Sequence, residues 1–356
     1  RLDYTDSSCP ALLLEPQRSN LCIQSEYAGS WSTSGVGSVT DNAEISPEGV
    51  QNAFTLNDTS SGAYFRIERN VSVSAGDNTL SVFLKKTTGA LSHYAGVQFD
   101  ISRKYVIIDT TNGTWNEAGS GDNDFIDVVD FSADYWRVII RNNSSAGSRR
   151  VGLWPALSTD GSAIAVGATG ENTFYGAQVE AGSYATSYIP TYGTSVTRNG
   201  DDPVEQTNLS TNNILNNYNS TAFIHIKKNL GTTGLTRFLS LYSSAANNPR
   251  ILFYSGNNGG TYSLNLQYRV TGQSDVGQFL GNFNLDDELK FAIVINGTSI
   301  TSYLNGVKKT TSTIIQGNDI ERLFLDDAGE MSHLVSKLLL FPTSLTDQEA
   351  IDLTTI

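Results

Sequence analysis

Short stretches in which polar and apolar residues alternate, cut off repeatedly by Gly, Asn and Ser, constrain this chain more than any other feature. Across Ala63–Val73, Tyr64, Arg66 and Glu68 fall on one face and Phe65, Ile67 and Arg69 on the other. That period of two belongs to a strand with a single buried face. The same reading predicts strands in the regions 78–85, 94–100, 104–109, 135–141, 150–155 and 173–180, and again in 222–228, 237–242, 250–254, 263–270, 290–295, 299–304, 322–325 and 334–341. Asn112-Gly113 marks a tight hairpin between Asp109 and Trp115. Asn296-Gly297 and Asn305-Gly306 bracket one strand in two successive hairpins, because Asn and Gly tolerate the left-handed backbone such turns require. The C terminus reads differently. Thr346-Asp347-Gln348-Glu349 is a capping box, with Thr346 as N-cap and Glu349 reaching back, and it opens a short helix.

The fold class that follows is all-β: two tandem antiparallel β-sandwiches of jelly-roll type with a short C-terminal helix. At 356 residues the chain exceeds what one small sandwich needs. Long helices are excluded by composition, since charged residues are only 17% and 32 glycines punctuate the sequence. The polar run from Arg198 to Asn219 marks a boundary. We therefore expect a connecting arm over 1–20, a first sandwich over 21–200, a linker over 201–219 and a second sandwich over 220–356.

Net charge is −13, and both halves share it: residues 1–200 carry 13 basic and 21 acidic side chains, residues 201–356 carry 10 and 15. Neither half can neutralise a phosphate backbone or an anionic bilayer, so nucleic acid and membrane surfaces are excluded as partners. No apolar run approaches the roughly 20 residues that span a bilayer. An acidic surface suits neutral glycans or calcium-bridged binding. Cys9 and Cys22 are the two cysteines, and a bridge between them and two free thiols are both open readings. Arg1 in place of an initiator Met reads as a piece of a longer or processed polypeptide.

Three segments carry a resemblance. The run from Leu12 to Leu21 (LLLEPQRSNL) resembles the LLLEPQRTNL segment of many phage tail and head-fibre proteins, departing at Ser19 and, just beyond it, at Cys22. The run from Gly176 to Thr191 (GAQVEAGSYATSYIPT) resembles the closing segment of the same proteins. Trp31 and Tyr135-Trp136-Arg137-Val138 fall where that family's carbohydrate-binding-module-like jelly roll has its early Trp and its W-x-R-V strand. The second half resembles the concanavalin A-like lectin/glucanase superfamily in its laminin G-like form. Phe291-Ala292-Ile293-Val294 with Ser302-Tyr303-Leu304-Asn305-Gly306-Val307 is similar to its Y-x-N-G hairpin, and Lys337–Phe341 with Leu345–Glu349 to its last strand and helix. The resemblance implies a virion-surface fibre or spike protein that binds host-surface glycans. It also implies a homotrimer joined to other virion proteins, with a purely structural capsid or tail decoration as the alternative.

Enzyme motifs are absent from the sequence. His93, His225 and His333 are isolated and read as structural or surface histidines, and no metalloprotease, nucleophile-elbow, phosphate-loop or zinc pattern occurs. Asp122-x-Asp124-x-x-Asp127 matches the spacing of the Glu-x-Asp-x-x-Glu strand of related glucanases. It is all Asp, lies in the first domain and follows Gly119 and Gly121, so it reads as a loop; the chain is read as a non-enzyme. That loop is the calcium candidate, with Asp122, Asn123 and Asp124 as hard oxygen ligands. By the jelly-roll resemblance Glu180 or Glu26 would join them. Sugar binding needs exposed aromatic faces rimmed by planar polar groups. Trp115 with Asn116 is the first such candidate, while Trp31, Trp136 and Trp154 read as core. In the second sandwich Tyr254, Asn257, Asn258 and Tyr262 surround a Gly-rich loop and form the second.

Overall fold

The computed structural model describes residues 2–3, 11–87, 94–100, 104–119, 124–157, 160–161, 167–200, 207–209, 212–215, 219–232, 236–243, 249–258, 261–268, 276–284, 287–313, 320–325 and 331–355. The chain forms two compact units, one of residues 18–198 and one of residues 1–17 with 199–356. Both are antiparallel β-sandwiches, and the one α-helix among the described residues is Asp347–Thr354. No described helix is long and apolar enough to cross a membrane.

In the unit of residues 18–198, two six-stranded sheets face each other. One runs Trp115–Ala118, Tyr105–Asp109, Tyr94–Asp100, Gly147–Trp154, Arg66–Val73, Ser32–Ser34; the other runs Phe125–Asp130, Tyr135–Ser144, Gly76–Lys85, Gly170–Ala181, Gln51–Asp58, Gly37–Ile45. Alternation fills the space between them, with Val97, Val106 and Leu153 from the first meeting Leu80, Val138 and Val179 from the second. Cys22 and Trp31 lie in this core, and burial pushes the Cys22 thiol up to about 12. Cys9 lies outside the described residues.

Each sheet's outward face also carries an apolar cluster. Trp154 and Tyr105 meet edge to face at 4.8 Å outside the first sheet, under Leu157. Outside the second, Phe83, Tyr135 and Tyr175 are covered by Tyr188. The closing segment lies there, held to the start of the unit. Asn20, buried, donates through Nδ2 to the carbonyls of Ala177 and Ile189, and its Oδ1 accepts from the Cys22 and Val179 amides. The Gly176–Thr191 segment thus closes on Asn20, at the end of the Leu12–Leu21 run, whose first six residues belong to the other unit.

In the second unit, a seven-stranded sheet packs on a five-stranded one. The larger runs Leu2–Asp3, Ala11–Leu14, Met331–Phe341, Asn219–Thr232, Leu289–Asn296, Ser299–Leu304, Val307–Thr313; the smaller runs Val276–Phe283, Thr261–Tyr268, Pro249–Asn258, Thr236–Ser243, Ile320–Phe324. Phe253 and Phe291 stack across the interior at 3.8 Å. The helix lies on the outward face of the larger sheet, where Ala350 meets Phe223, Ala292 and Tyr303. Its capping box forms: the Glu349 amide donates to Thr346 Oγ1 at 3.3 Å and the Thr346 amide to Glu349 Oε2 at 2.8 Å.

Two expectations about organisation need correction. Ala11–Leu14 is not an arm but a strand, with Leu12 opposite Val335 and Leu13 opposite Leu334. The expected linker is not wholly polar either, since Leu209 and Leu215 are each 1% exposed and belong to the second unit's core. Strands at 37–45, 51–58, 125–130, 276–283 and 307–313 escaped the sequence reading.

Candidate functional site

Trp115 opens the outermost strand of its sheet. It pairs with Ile108 and shares that residue's inward side, but on the last strand its indole stays 40% exposed. The turn before it is closed by side-chain hydrogen bonds. The Asp109 carboxylate accepts from the Thr111 amide at 2.9 Å and from Asn112 Nδ2 at 3.0 Å, and Asn112 Oδ1 accepts from the Thr114 amide at 2.9 Å. Gly113 sits at φ 75° directly over the Trp136 ring, and a Cβ there would come within 2.9 Å of it. Only glycine combines that backbone with that approach. Trp136 itself is buried, donates Nε1–H to the Thr110 carbonyl at 2.8 Å, and lies under Lys86 Nζ at 4.3 Å.

Asn116 does not rim Trp115. Successive strand residues point to opposite sides, and Asn116 turns outward with Ile107 and donates to the Gly161 carbonyl at 3.0 Å. The polar neighbour on the indole's own side is Glu117, two residues on, which pairs with Lys104 at 3.0 Å. The sequence places Glu117 beside Trp115; its partner Lys104, eleven residues before the indole, is what the sequence reading missed. Trp31, Trp136 and Trp154 are all buried.

The second aromatic candidate divides in the same way. Tyr262 shares the inward side with Leu264 and Leu266 and packs on Phe283 at 5.7 Å. Tyr254 lies on the outward side, opposite Asn265, and Asn265 lies opposite Phe279. The structure therefore brings Tyr254 together with Asn265 and Phe279, not with Tyr262. Phe279, 63% exposed, is the residue sequence reasoning missed there; a bulge between Leu264 and Asn265 turns it outward. The backbones of Asn257 and Asn258 pair with Tyr262 and Thr261, and their side chains lie outside what the structure describes.

The calcium candidates do not converge. Asp122 and Asn123 lie outside the described residues. Asp124 accepts from the Asn143 amide and donates its own amide to the Arg141 carbonyl, closing a hairpin. Asp127 sits in a strand opposite Ile139, not in a loop. Glu180 is fully buried, and its oxygens accept from the amide and hydroxyl of Thr186. Burial raises its pKa, which those hydrogen bonds and Arg137 oppose. Glu180 thus anchors the closing segment. Glu26 is likewise engaged, accepting from Tyr175 and Tyr188 hydroxyls at 3.2 Å. Among the described residues no three His, Cys, Asp or Glu side chains group as a cation site.

No protein-family model and no curated protein sequence matches the chain. Solved structures share parts of its sandwich architecture. A heptameric SAP-like pentraxin from Limulus polyphemus is 17% identical, over 38% of this chain and 70% of that one, with a TM-score of 0.32. The CBM40 of Ruminococcus gnavus IT-sialidase, bound to alpha2,3 sialyllactose, is 13% identical over 43% and 94%, with a TM-score of 0.34. An alginate lyase from Alteromonas sp. 272 is 12% identical over 35% and 72%, with a TM-score of 0.30. Likenesses this partial concern the β-sandwich alone, so the functional reading rests on the chain's own residues.

Proposed function

We propose that this chain is a glycan-binding protein of the virion surface, a segment of a fibre or spike, and that Trp115 is its sugar platform. The observation that carries the reading is a half-exposed indole held at the edge of a sheet by a hydrogen-bonded turn. Sugar C–H groups, slightly positive, lie against the negative face of such a ring, and a fixed ring loses little entropy on binding. The Glu117–Lys104 pair and Asn112 supply charged and amide groups for hydroxyls beside it. Tyr254, Asn265 and Phe279 offer a second aromatic row on the other sandwich. The fibre context, the trimer and attachment to other virion proteins follow from the resemblance of the Leu12–Leu21 and Gly176–Thr191 segments. Calcium is part of the proposal only as a requirement to be tested with chelator. A glycan array probed with the chain and with Trp115→Ala tests the reading. Binding that the substitution abolishes supports it, and a blank from folded protein would favour a structural decoration.

A further inference from the structure

On the outward face of the seven-stranded sheet, three side chains from three separate stretches of sequence form one hydrogen-bonded line. His225 lies in the Asn219–Thr232 strand, Ser336 in the Met331–Phe341 strand, and Glu288 just before Leu289–Asn296. Ser336 Oγ is 2.6 Å from His225 Nδ1, and His225 Nε2 meets Glu288 Oε1. A carboxylate can only accept, so Glu288 holds the imidazole proton on Nε2 and leaves the Nδ1 lone pair facing the Ser336 hydroxyl. Nucleophile, base and orienting acid then stand in order, with the two ring nitrogens exchanged relative to the serine-protease arrangement.

Ser336 owes its position to a break in the ladder. His225 pairs with Lys337 but Ile226 pairs with Val335, so Ser336 is the extra residue of a bulge. Val335 enters the core, and the added residue sends Ser336 out to the side of His225. Re-aiming a side chain in this way is what a bulge does beside a site. Ser336 is half-buried, and the His225 and Glu288 side chains are 12% and 38% exposed. The charged groups bearing on His225 are Glu288, Lys290 and Lys227, with Lys337 paired across from it. Burial is the largest influence and lowers its pKa, which Glu288 opposes and the lysines reinforce. The imidazole is therefore neutral at neutral pH, as a general base must be.

We propose that Ser336, His225 and Glu288 form a nucleophilic site that hydrolyses small carboxylic esters. Ser336 Oγ bonds to the ester carbonyl carbon while its proton passes to His225 Nδ1. The carbon–alkoxy bond breaks and the leaving alcohol takes that proton. Water, deprotonated by His225, then cleaves the acyl-serine, releasing the acid and restoring Ser336. This site is independent of Trp115 and lies in the other sandwich. Its sequence separations, 63 and 111 residues, hide it from any motif search.

The test uses the whole chain with a fluorophosphonate probe and with p-nitrophenyl acetate. The proposal predicts a label mapped to Ser336 by peptide mass. It also predicts an ester rate that Ser336→Ala lowers by more than about 100-fold and that falls as His225 protonates below pH 6.5. Glu288→Gln, which leaves the nucleophile in place, should lower the rate and shift that pH profile. Circular dichroism of each variant establishes folding. Folded wild type that takes up no probe, or labelling unchanged by folded Ser336→Ala, overturns the proposal.

Discussion

Asn20 and Ile189 stand 169 residues apart in sequence, and the Asn20 side-chain amide donates to the Ile189 carbonyl across 2.8 Å. The same buried amide serves Ala177, Cys22 and Val179. One side chain therefore ties the entry of the first sandwich to its exit. Asn20→Ala would remove four hydrogen bonds to backbone groups, each worth about 0.5–1.5 kcal/mol net. We expect a loss of roughly 3 kcal/mol, read as a lower urea midpoint for the first sandwich. A change below about 0.5 kcal/mol, typical of a surface site, would contradict this account of the closing segment.

Glu180 makes the first sandwich sensitive to pH in an unusual direction. Its folded pKa lies above the ordinary 4.5 because burial penalises the charge. The native state thus holds a proton that the unfolded chain has already released. The group's favourable contribution is complete below 4.5 and is lost as pH rises through the raised folded value. Unfolding curves of wild type and Glu180→Gln across this range should show wild type losing ground to the variant as pH increases. Parallel curves would mean that Glu180 carries no such shift.

The C-terminal helix depends on its cap. Thr346 accepts from the Glu349 amide, Asp347 receives Tyr303 Oη–H at 2.5 Å and Lys308 Nζ at 2.6 Å, and Ala350 packs against the sheet. Thr346→Ala should cost about 1 kcal/mol and raise hydrogen exchange in Asp347–Thr354 before it touches the strands. Uniform destabilisation of both sheets would show instead that the helix is integral to the fold.

Much of this architecture was legible in the sequence, and the illegible part has a common cause. Alternation located the strands whose inward residues are large, and the Asn305-Gly306 turn is left-handed at both positions, as its hairpin demands. Alternation could not show that Ala11–Leu14 would find its partner beyond residue 330, because pairing of distant strands leaves no local trace. Faces were lost at bulges. The one between Leu264 and Asn265 turns Phe279 outward, and the one at Ser336 aligns it with His225. Neighbours in sequence were also mistaken for neighbours in space: Asn116 beside Trp115, and Tyr262 near Tyr254, each point to the opposite side of their sheet. The partial exposure of Trp115 was legible because a Trp next to an Asn-Gly turn sits where a second sheet has little to cover it.

The measurement that bears most directly on the glycan-binding reading is a glycan array with the whole chain, in calcium and in chelator, alongside Trp115→Ala. Trp115 is 40% exposed and otherwise covered, so the substitution should lower stability by about 1–3 kcal/mol while removing retention of the bound glycans. Binding abolished in a variant that remains cooperatively folded is the predicted result. Undiminished binding by folded Trp115→Ala would move the site elsewhere, and no binding by folded wild type in either condition would contradict the reading outright.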